Sequence, residues 1–374
     1  MHVVYNSDYL AYDFGPGHPF TPTRWQALAD LLWTIDLPVT WSDPVAIDES
    51  SLHAVHRPRF IEAVKAASEG QLFAMSGPFG LGTPDVPTFL GMHQASLRLC
   101  AGAVSAGRMV TSGASRRALQ LAGGLHHAMP SAASGFCVYN DLGVLIWDLT
   151  QQGMKVAYID VDVHHGDGVQ RMFYSDPNVL TVSLHESGQY LFPGTGFIDE
   201  LGEGEAIGTS INIPLYPGTR DTSYLESFDA VVPDVVNRFG PDIILVQAGA
   251  DAHALDPLAD LSLTTRGYRV LFDRILSLSD VLCDGRLVVT LGGGYFFDAT
   301  IRVWTILACM LAGVEPPVRF PEDWRRKWQP AASGSLQEMI DDDFTVEARA
   351  STDRTADTNR ATVTELKDRL AAAV

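Results

Sequence analysis

The sequence is poor in cysteine and in lysine, and each shortage excludes a class of protein. Its four cysteines are widely separated and form no CxxC pair, so we expect neither a disulfide framework nor a cysteine-ligated zinc site, and a reducing compartment fits best. Only four lysines occur, and none follows a glycine-rich turn in the spacing that holds nucleotide phosphates. A secreted disulfide scaffold and a P-loop nucleoside triphosphatase are therefore excluded.

Positive charge and long apolar stretches are also scarce. The 26 Lys and Arg residues against 45 Asp and Glu residues give a formal net charge of −19, which argues against binding nucleic acid by neutralising phosphates. The longest apolar run, residues 303–314, is too short to span a bilayer, and residues 1–20 lack the pattern of a signal peptide. We expect a cytoplasmic protein that binds neither nucleic acid nor membranes.

Short apolar runs alternate with longer segments of helical period, which is typical of a parallel sheet covered by helices on both faces. We expect one α/β domain over residues 1–320 and a C-terminal extension over residues 321–374, which is partly helical and has no assigned function. The extension carries an acidic run at residues 341–343 and a predicted helix over 364–373. The other predicted elements are strands at 3–5, 118–121, 156–163, 179–184, 243–247 and 287–291, helices at 23–35, 59–67, 92–106 and 303–314, and a loop at 76–87.

Five of the predicted strands run directly into polar or glycine-rich segments. In open parallel sheets, ligands bind beyond the carboxyl ends of the strands, so we expect these five ends to converge on one crevice. The polar residues that follow the strands include His126 and His127, His164, His185, Asp251 and Tyr295.

A metal site is predicted at two of these ends. Asp160, Asp162 and His164 occupy alternate positions along the predicted strand 156–163 and the residue that follows it, so their side chains should share one side. Two buried carboxylates are costly without a cation. A lone Asp-x-His is more often a loop cap, but Asp251 adds a further carboxylate. Three protein ligands with an open fourth position are typical of catalytic zinc, and the same donors also suit Fe²⁺ or Mn²⁺.

The histidine pair and one tyrosine supply the remaining groups for a hydrolase. His126 and His127 follow a Gly-Gly turn, and an imidazole beside a metal can take a proton from water and return it to a leaving amine. Asp160 and Asp167 are candidate carboxylates that orient these imidazoles. Tyr295 follows three glycines and can donate to a developing oxyanion. Each residue alone is more often structural, and only the combination favours catalysis.

Several motifs make the sequence resemble the zinc-dependent histone deacetylase superfamily. DVDVHHGDGVQ resembles its class I branch, and the stretches 80–93, 183–196 and 249–258 resemble the bacterial acetoin-utilisation type of deacetylase. The resemblance runs from about Val3 to Val314 without a large gap. The motifs are GGLHHA (123–128), SGFCVYND (134–141), DVDVHHGDGVQ (160–170), SLHESGQYLFPGTG (183–196), GADAHALDPL (249–258), LGGGY (291–295) and GLGTPDVPTFLGMH (80–93).

The resemblance implies a three-layer α/β/α fold of the arginase and deacetylase type, with a central parallel sheet of about eight strands. It implies hydrolysis of N-ε-acetyl-lysine in proteins to lysine and acetate, with Zn²⁺ as the expected metal. For the acetoin-utilisation type, a metabolic enzyme such as an acetyl-CoA synthetase is the expected protein substrate.

The resemblance also assigns roles by position. Asp162, His164 and Asp251 match the zinc ligands, and Tyr295 matches the tyrosine that polarises the carbonyl. His127 matches the general base and acid, with His126 as electrostatic support and Asp160 and Asp167 as their carboxylate partners. The remaining matches are the walls of a substrate tunnel at Gly135, Phe136 and Phe192, Leu258 near its mouth, and Asp85 at the rim, where it would grip the substrate backbone.

Three further expectations follow from the resemblance. A structural K⁺ would lie near Asp160, Asp162, His164, Ser183 and Leu184. Arg24 matches an arginine near an internal cavity behind the metal. His253 stands where binuclear relatives of this fold carry another metal-ligating carboxylate, so a second metal is conceivable, but we expect a histidine at the rim of the site.

Two other functions remain open at this point. The first is a hydrolase of acetylated polyamines or other small amides. Asp85 argues against it, because a carboxylate at the rim favours binding of a peptide backbone. The second is a non-enzymatic protein that binds acyl-lysine, suggested only by the unassigned extension.

Overall fold

The computed structural model of the protein describes residues 1–71, 77–342 and 353–373. Its strands form one parallel sheet of eight, in the order β2-β1-β3-β8-β7-β4-β5-β6. All residues of β4 to β8 are buried. A parallel sheet is buried to this extent only when helices cover both of its faces. The strands are β1 (His2–Val4), β2 (Thr40–Ser42), β3 (Arg117–Gln120), β4 (Val156–Asp160), β5 (Val179–Glu186), β6 (Ser210–Leu215), β7 (Ile243–Gln247) and β8 (Leu287–Thr290).

The helices alternate with the strands along most of the chain, as expected of an α/β protein. Their bounds are α1 (Thr23–Thr34), α2 (Pro58–Ser68), α3 (Met92–Thr111), α4 (Asp141–Gln151), α5 (Asp167–Phe173), α6 (Asp221–Phe239), α7 (Thr265–Leu282), α8 (Phe297–Ala312), α9 (Glu322–Trp328) and α10 (Asp353–Ala373). Within the described residues, none of these helices is long and apolar enough to cross a membrane. The predicted fold class is confirmed, and cytoplasmic location stays a prediction.

The five strands predicted to end at the crevice are neighbours in the sheet: β3, β8, β7, β4 and β5. Because the strands are parallel, their carboxyl ends lie along one edge. Two edge strands, β2 and β6, escaped the sequence analysis. β2 has only three residues, none of them buried, and β6 contains Pro214, which edge strands tolerate.

Two predicted strand ends were wrong by more than one residue. β4 ends at Asp160, so Asp162 and His164 lie on the loop that follows it. The side chains of Asp160 and Asp162 accept hydrogen bonds from the backbone N–H groups of Asp162 and His164, at 3.1 and 3.0 Å. These bonds replace regular strand pairing. β5 instead continues through His185 to Glu186.

The described parts of the C-terminal extension pack against earlier elements. Trp324 of α9 donates its indole N–H to the carbonyl of Ala27 in α1 at 2.9 Å. Asn359 of α10 donates to the hydroxyls of Thr219 and Ser223 at 2.7 and 2.9 Å. The domain boundary near residue 320 stays a prediction, and Ser76 of the predicted loop and Asp343 of the acidic run lie outside the described residues.

Candidate metal and catalytic site

Three side chains converge just beyond the ends of β4 and β7. One ligand atom each from Asp162, His164 and Asp251 lies within 4.8 Å of the other two, and all three residues are buried. Nδ1 of His164 lies 3.1 Å from Oδ1 of Asp162 and 3.1 Å from Oδ2 of Asp251. The three predicted metal ligands are therefore brought together, and no other such group occurs among the residues that the structure describes.

The backbone positions both carboxylates and leaves one oxygen of each facing His164. Oδ1 of Asp251 accepts the N–H of Val163 at 3.0 Å, and Oδ2 of Asp162 accepts the N–H of Gly293 at 2.8 Å. A Cβ on Gly293 would lie 1.9 Å from Oδ2 of Asp251, so the close approach of this backbone requires glycine.

The charges of this group fit a divalent cation. Burial lowers the pKa of His164, but hydrogen bonds and charge from Asp162 and Asp251 outweigh it and raise the pKa to about 10. Burial and the charge of Asp162 raise the pKa of Asp251 to about 7. The protein alone must therefore bind extra protons to balance its two carboxylates. A divalent cation supplies that balance, and two oxygens with one imidazole nitrogen suit Zn²⁺, Fe²⁺ or Mn²⁺.

The two histidines of the GGLHHA segment lie beside this group, each with its own carboxylate. Nδ1 of His126 lies 2.8 Å from Oδ2 of Asp160, and Nδ1 of His127 lies 2.8 Å from Oδ1 of Asp167. Asp167 begins α5, whereas Asp160 ends β4, so two different elements orient the rings. His126 is also 3.9 Å from the Asp162 carboxylate, measured from Nε2 to Oδ1.

The histidine pair shares one proton. The two Nε2 atoms lie 3.0 Å apart, a contact that requires one nitrogen to donate and the other to accept. Burial lowers the pKa of His126, but Asp160 and Asp162 outweigh it and raise the pKa to about 9. Burial and the charge of His126 lower the pKa of His127 to about 4, against the opposing effect of Asp167. The proton therefore lies on His126, and His127 is neutral.

Tyr295 faces the same group from the end of β8. Its ring centroid is 6.4 Å from that of His164, and its backbone N–H donates to Oδ2 of Asp256 at 2.7 Å. Burial, followed by the charge of Asp251, raises the pKa of the phenol, so the hydroxyl keeps its proton. The side chain can therefore act as a hydrogen-bond donor beside the predicted metal ligands.

Aromatic rings flank the site on two sides. The centroid of Phe192 is 5.0 Å from His127, and that of Phe136 is 5.7 Å from Tyr295. Gly135 and Phe136 both have a positive φ, of 52° and 66°. A Cβ on Gly135 would lie 2.3 Å from the His127 ring, so this wall passes close to the histidine.

The two rim candidates are held by backbone contacts. Oδ2 of Asp85 accepts the N–H of Gly135 at 2.8 Å, which ties the predicted rim residue to the predicted tunnel wall. Leu258 is partly buried, and its N–H donates to Oδ1 of Asp256 at 3.0 Å. The tunnel roles of these residues stay predictions.

The residues of the predicted K⁺ site lie on neighbouring strands. Ser183 pairs with Asp160 in the β4–β5 register, and Leu184 follows it in β5. Asp160 already receives hydrogen bonds from Tyr158, at 2.5 Å, and from the N–H of Asp162. The K⁺ site stays a prediction. Arg24 is buried, its guanidinium carbon lies 5.7 Å from the centroid of the Tyr295 ring, and it donates to the carbonyls of Gly292 and Gly294 at 3.2 and 2.6 Å.

The expectation that His253 lies at the rim was wrong. His253 is 1% exposed, and its Nε2 lies 3.1 Å from Oδ2 of Asp342 in the C-terminal extension. Its Nδ1 accepts the N–H of Leu255 at 3.2 Å. Both ring nitrogens are thus engaged by the protein, and a second metal at this residue is not supported.

Sequence reasoning missed four polar residues that support the site. Gln247 donates to Oδ2 of Asp162 at 2.7 Å, Asp256 holds the backbone of Tyr295, and Tyr158 bonds to Asp160. Asp141 is a fourth, because its carboxylate accepts the N–H groups of Gly124 and Leu125 just before the histidine pair. A polar residue at the end of an apolar strand, as in IILVQ, was the one signal that pointed to Gln247.

Comparisons with known proteins show which family the sequence belongs to. The sequence model of the histone deacetylase domain matches residues 18–311. The acetoin utilization protein AcuC of Bacillus subtilis is 42% identical over 334 residues, covering 87% of this chain and 86% of its own length. AcuC of Staphylococcus xylosus is 37% identical over 347 residues, covering 91% of this chain and 90% of its own.

Two solved structures share the fold over nearly the whole chain. A crystal structure of an HDAC homolog complexed with SAHA has a TM-score of 0.88 and 26% identity, and covers 98% of this chain and 99% of that one. A crystal structure of an HDAC homolog from Aquifex aeolicus has a TM-score of 0.85 and 26% identity, and covers 97% of this chain and 99% of that one. The family expected from the motifs is confirmed: the chain belongs to the histone deacetylase family and is similar to AcuC proteins.

Proposed function

We propose that the protein is a metal-dependent lysine deacetylase that hydrolyses N-ε-acetyl-lysine in proteins to lysine and acetate. Deacetylase hydrolysis in general is supported by the family. The observation that carries the finer proposal is the grouping of Asp162, His164 and Asp251 within 4.8 Å of one another, next to a neutral histidine and two aromatic walls.

The residues that would hold the metal are Asp162, His164 and Asp251, and Zn²⁺ is the proposed ion. When bound, it would polarise the amide carbonyl and lower the pKa of water.

His127 is the proposed proton carrier. Its neutral state leaves the imidazole able to accept a proton, and Asp167 holds the proton on Nδ1, so Nε2 is the reacting atom. The contact of this nitrogen with Nε2 of His126 must give way when it takes the proton. Nε2 takes a proton as water attacks the amide carbon, then gives it to the nitrogen as the carbon–nitrogen bond breaks. His126, charged and beside Asp160, contributes electrostatic stabilisation.

Tyr295 is the proposed donor to the carbonyl oxygen. Its raised pKa keeps the hydroxyl protonated, and its backbone is fixed by the hydrogen bond to Asp256. A hydrogen bond that strengthens as negative charge develops on the oxygen lowers the barrier by several kcal/mol.

The aromatic walls favour an acetyl-lysine side chain. Phe136 and Phe192 flank the histidine and the tyrosine, so their rings can bury the four methylenes of lysine while the neutral amide reaches the polar end. Asp85 is proposed to bind the substrate backbone at the rim. Because the AcuC relatives are named for acetoin utilization, we propose a metabolic enzyme such as an acetyl-CoA synthetase as the first protein substrate to test.

The decisive experiment measures acetate release by the metal-depleted protein after addition of Zn²⁺, Fe²⁺ or Mn²⁺. Acetyl-lysine peptides and acetylated polyamines serve as competing substrates at equal concentration. We expect activity only after metal is added, and a higher kcat/KM for the peptides. A preference for polyamines would instead establish the small-molecule hydrolase.

Tyr295→Phe separates an enzyme from a protein that only binds acyl-lysine. The substitution removes one hydroxyl and keeps the ring, so kcat should fall about 10²-fold or more while peptide binding is retained. If the wild type binds the peptide without releasing acetate under any metal, the binding protein is the correct assignment.

A further inference from the structure

Asp342 is a buried carboxylate in the C-terminal extension that reaches the turn carrying Asp251. It is 6% exposed, and its Oδ2 lies 3.1 Å from Nε2 of His253, two positions after Asp251. The backbone N–H of Leu255 donates to Nδ1 of His253, which places the ring proton on Nε2, where it is donated to Asp342. A segment remote in sequence thus contacts the site's own turn.

Asp342 joins three separate elements by hydrogen bonds. Besides His253, its Oδ2 accepts the N–H of Thr265, at the start of α7, at 2.7 Å. Its Oδ1 accepts from the guanidinium of Arg302 in α8 at 3.0 Å, and its own N–H donates to the Thr265 hydroxyl at 3.0 Å. Burial would raise the pKa of Asp342, but the His253 hydrogen bond and the Thr265 and Arg302 contacts keep it below the ordinary value.

The turn that Asp342 contacts, residues 251–256, carries a residue of the site at each of its ends. Asp251, at the first end, is a predicted metal ligand, and Asp256, at the second, accepts the N–H of Tyr295. His253 lies between them, and its backbone carbonyl accepts the N–H of Asp256 at 2.8 Å. A shift of the His253 ring would therefore displace both the Asp251 carboxylate and the support of Tyr295.

We propose that Asp342 is a positioning residue for the active site: through His253 it fixes the 251–256 turn, and thereby the Asp251 carboxylate and the Tyr295 backbone. This inference rests on the proposed function. It gives the C-terminal extension a role in catalysis, since the extension supplies a side chain that orders the site from behind. Partners that orient metal ligands typically change metal affinity or activity about 10- to 100-fold when removed.

The test compares Asp342→Ala with two control variants of the full-length protein. Asp341→Ala changes the adjacent carboxylate, which is half exposed and pairs with Arg269 at 3.1 Å. Asn359→Ala removes another buried anchor of the extension, whose side chain donates to Thr219 and Ser223 just before and within α6. Three quantities are measured for each: the zinc dissociation constant by competition with a chelator, kcat/KM on an acetyl-lysine peptide, and the melting temperature.

We expect Asp342→Ala to weaken zinc binding about ten-fold and to lower kcat/KM about 10- to 100-fold.

The control variants should behave differently. Asn359→Ala should lower the melting temperature while its zinc affinity and kcat/KM stay within about two-fold of wild type. Asp341→Ala should change none of the three. His253→Ala should weaken zinc binding as Asp342→Ala does. The variant that carries both substitutions should have a zinc dissociation constant no larger than the larger of the two single-variant values.

Asp342→Asn guards against a variant that merely fails to fold, because it keeps the shape and one acceptor oxygen. It should have an intermediate zinc affinity. An unchanged zinc affinity in both Asp342 variants, or an effect matched by Asn359→Ala, would overturn the positioning role. If the wild type releases no acetate but zinc affinity still depends on Asp342, the substrate proposal fails and the positioning role stands.

Discussion

Two buried groups of carboxylates and imidazoles lie side by side in this protein, and they differ in stoichiometry. In the group of Asp162, His164 and Asp251, one imidazole faces two carboxylates. In the histidine pair, His126 and His127 each have a carboxylate of their own. The first group has an excess of negative charge that a cation would balance, whereas in the second each carboxylate orients one imidazole, and the two imidazoles differ in protonation. We therefore propose that the same residue types form a metal site in one place and a proton-transfer site in the other.

The largest expected effect comes from removing that excess of negative charge. Asp251→Asn keeps the acceptor for the N–H of Val163 but leaves a single carboxylate facing His164. We expect zinc affinity to collapse and kcat/KM to fall about 10³-fold or more, since several kcal/mol of stabilisation is lost. Chelator competition and acetate release measure the two effects.

The melting temperature of metal-free Asp251→Asn provides the control. It should stay close to that of the metal-free wild type, because the substitution removes a buried charge and keeps the shape. Zinc affinity equal to that of the wild type would contradict the assignment of Asp251 as a ligand.

The next largest effect should separate the two members of the histidine pair. His127→Ala removes the neutral imidazole, so kcat should fall about 10²- to 10⁴-fold, the usual contribution of a general base and acid. His126→Ala should have the smaller effect, because in the proposed mechanism His126 contributes charge and does not carry the transferred proton. Steady-state kinetics on one acetyl-lysine peptide checks the order.

Zinc affinity of both histidine variants should remain within about ten-fold of the wild type, since neither residue is a proposed ligand. A larger loss of kcat in His126→Ala than in His127→Ala would reverse the roles given to the two residues.

The smallest effect is expected from Tyr158→Phe. The Tyr158 hydroxyl donates to Asp160 at 2.5 Å, but Asp160 keeps its contacts with His126 and the N–H of Asp162. We expect a loss of about 1–2 kcal/mol in the free energy of unfolding and less than a ten-fold change in kcat. Urea unfolding and kinetics test this, and a change in kcat as large as that of His126→Ala would show that Asp160 depends on the tyrosine for its function.

The sequence was most informative where function requires several chemical groups close together in the chain. His126 and His127 follow one turn, and Asp160, Asp162, His164 and Asp167 fall within eight positions. The sequence was misleading where a tertiary contact decides the role of a residue. His253 was expected at the rim because it is two positions from Asp251, yet it is buried against Asp342. Nothing local to either residue indicates a partner 89 positions away.

By itself, the sequence determined the alternation of strands and helices and the chemical groups at the strand ends, because hydrophobic periodicity and residue type are local properties. The parallel order of the sheet then decided which ends are neighbours and brought Asp251, which follows β7, to the loop after β4. The tertiary structure alone decided the ionisation of the two histidines, the support given by Gln247 and Asp256, and the contact of Asp342 with His253. These properties depend on burial and on charges from segments distant in sequence. Neither can be read from the order of residues along the chain.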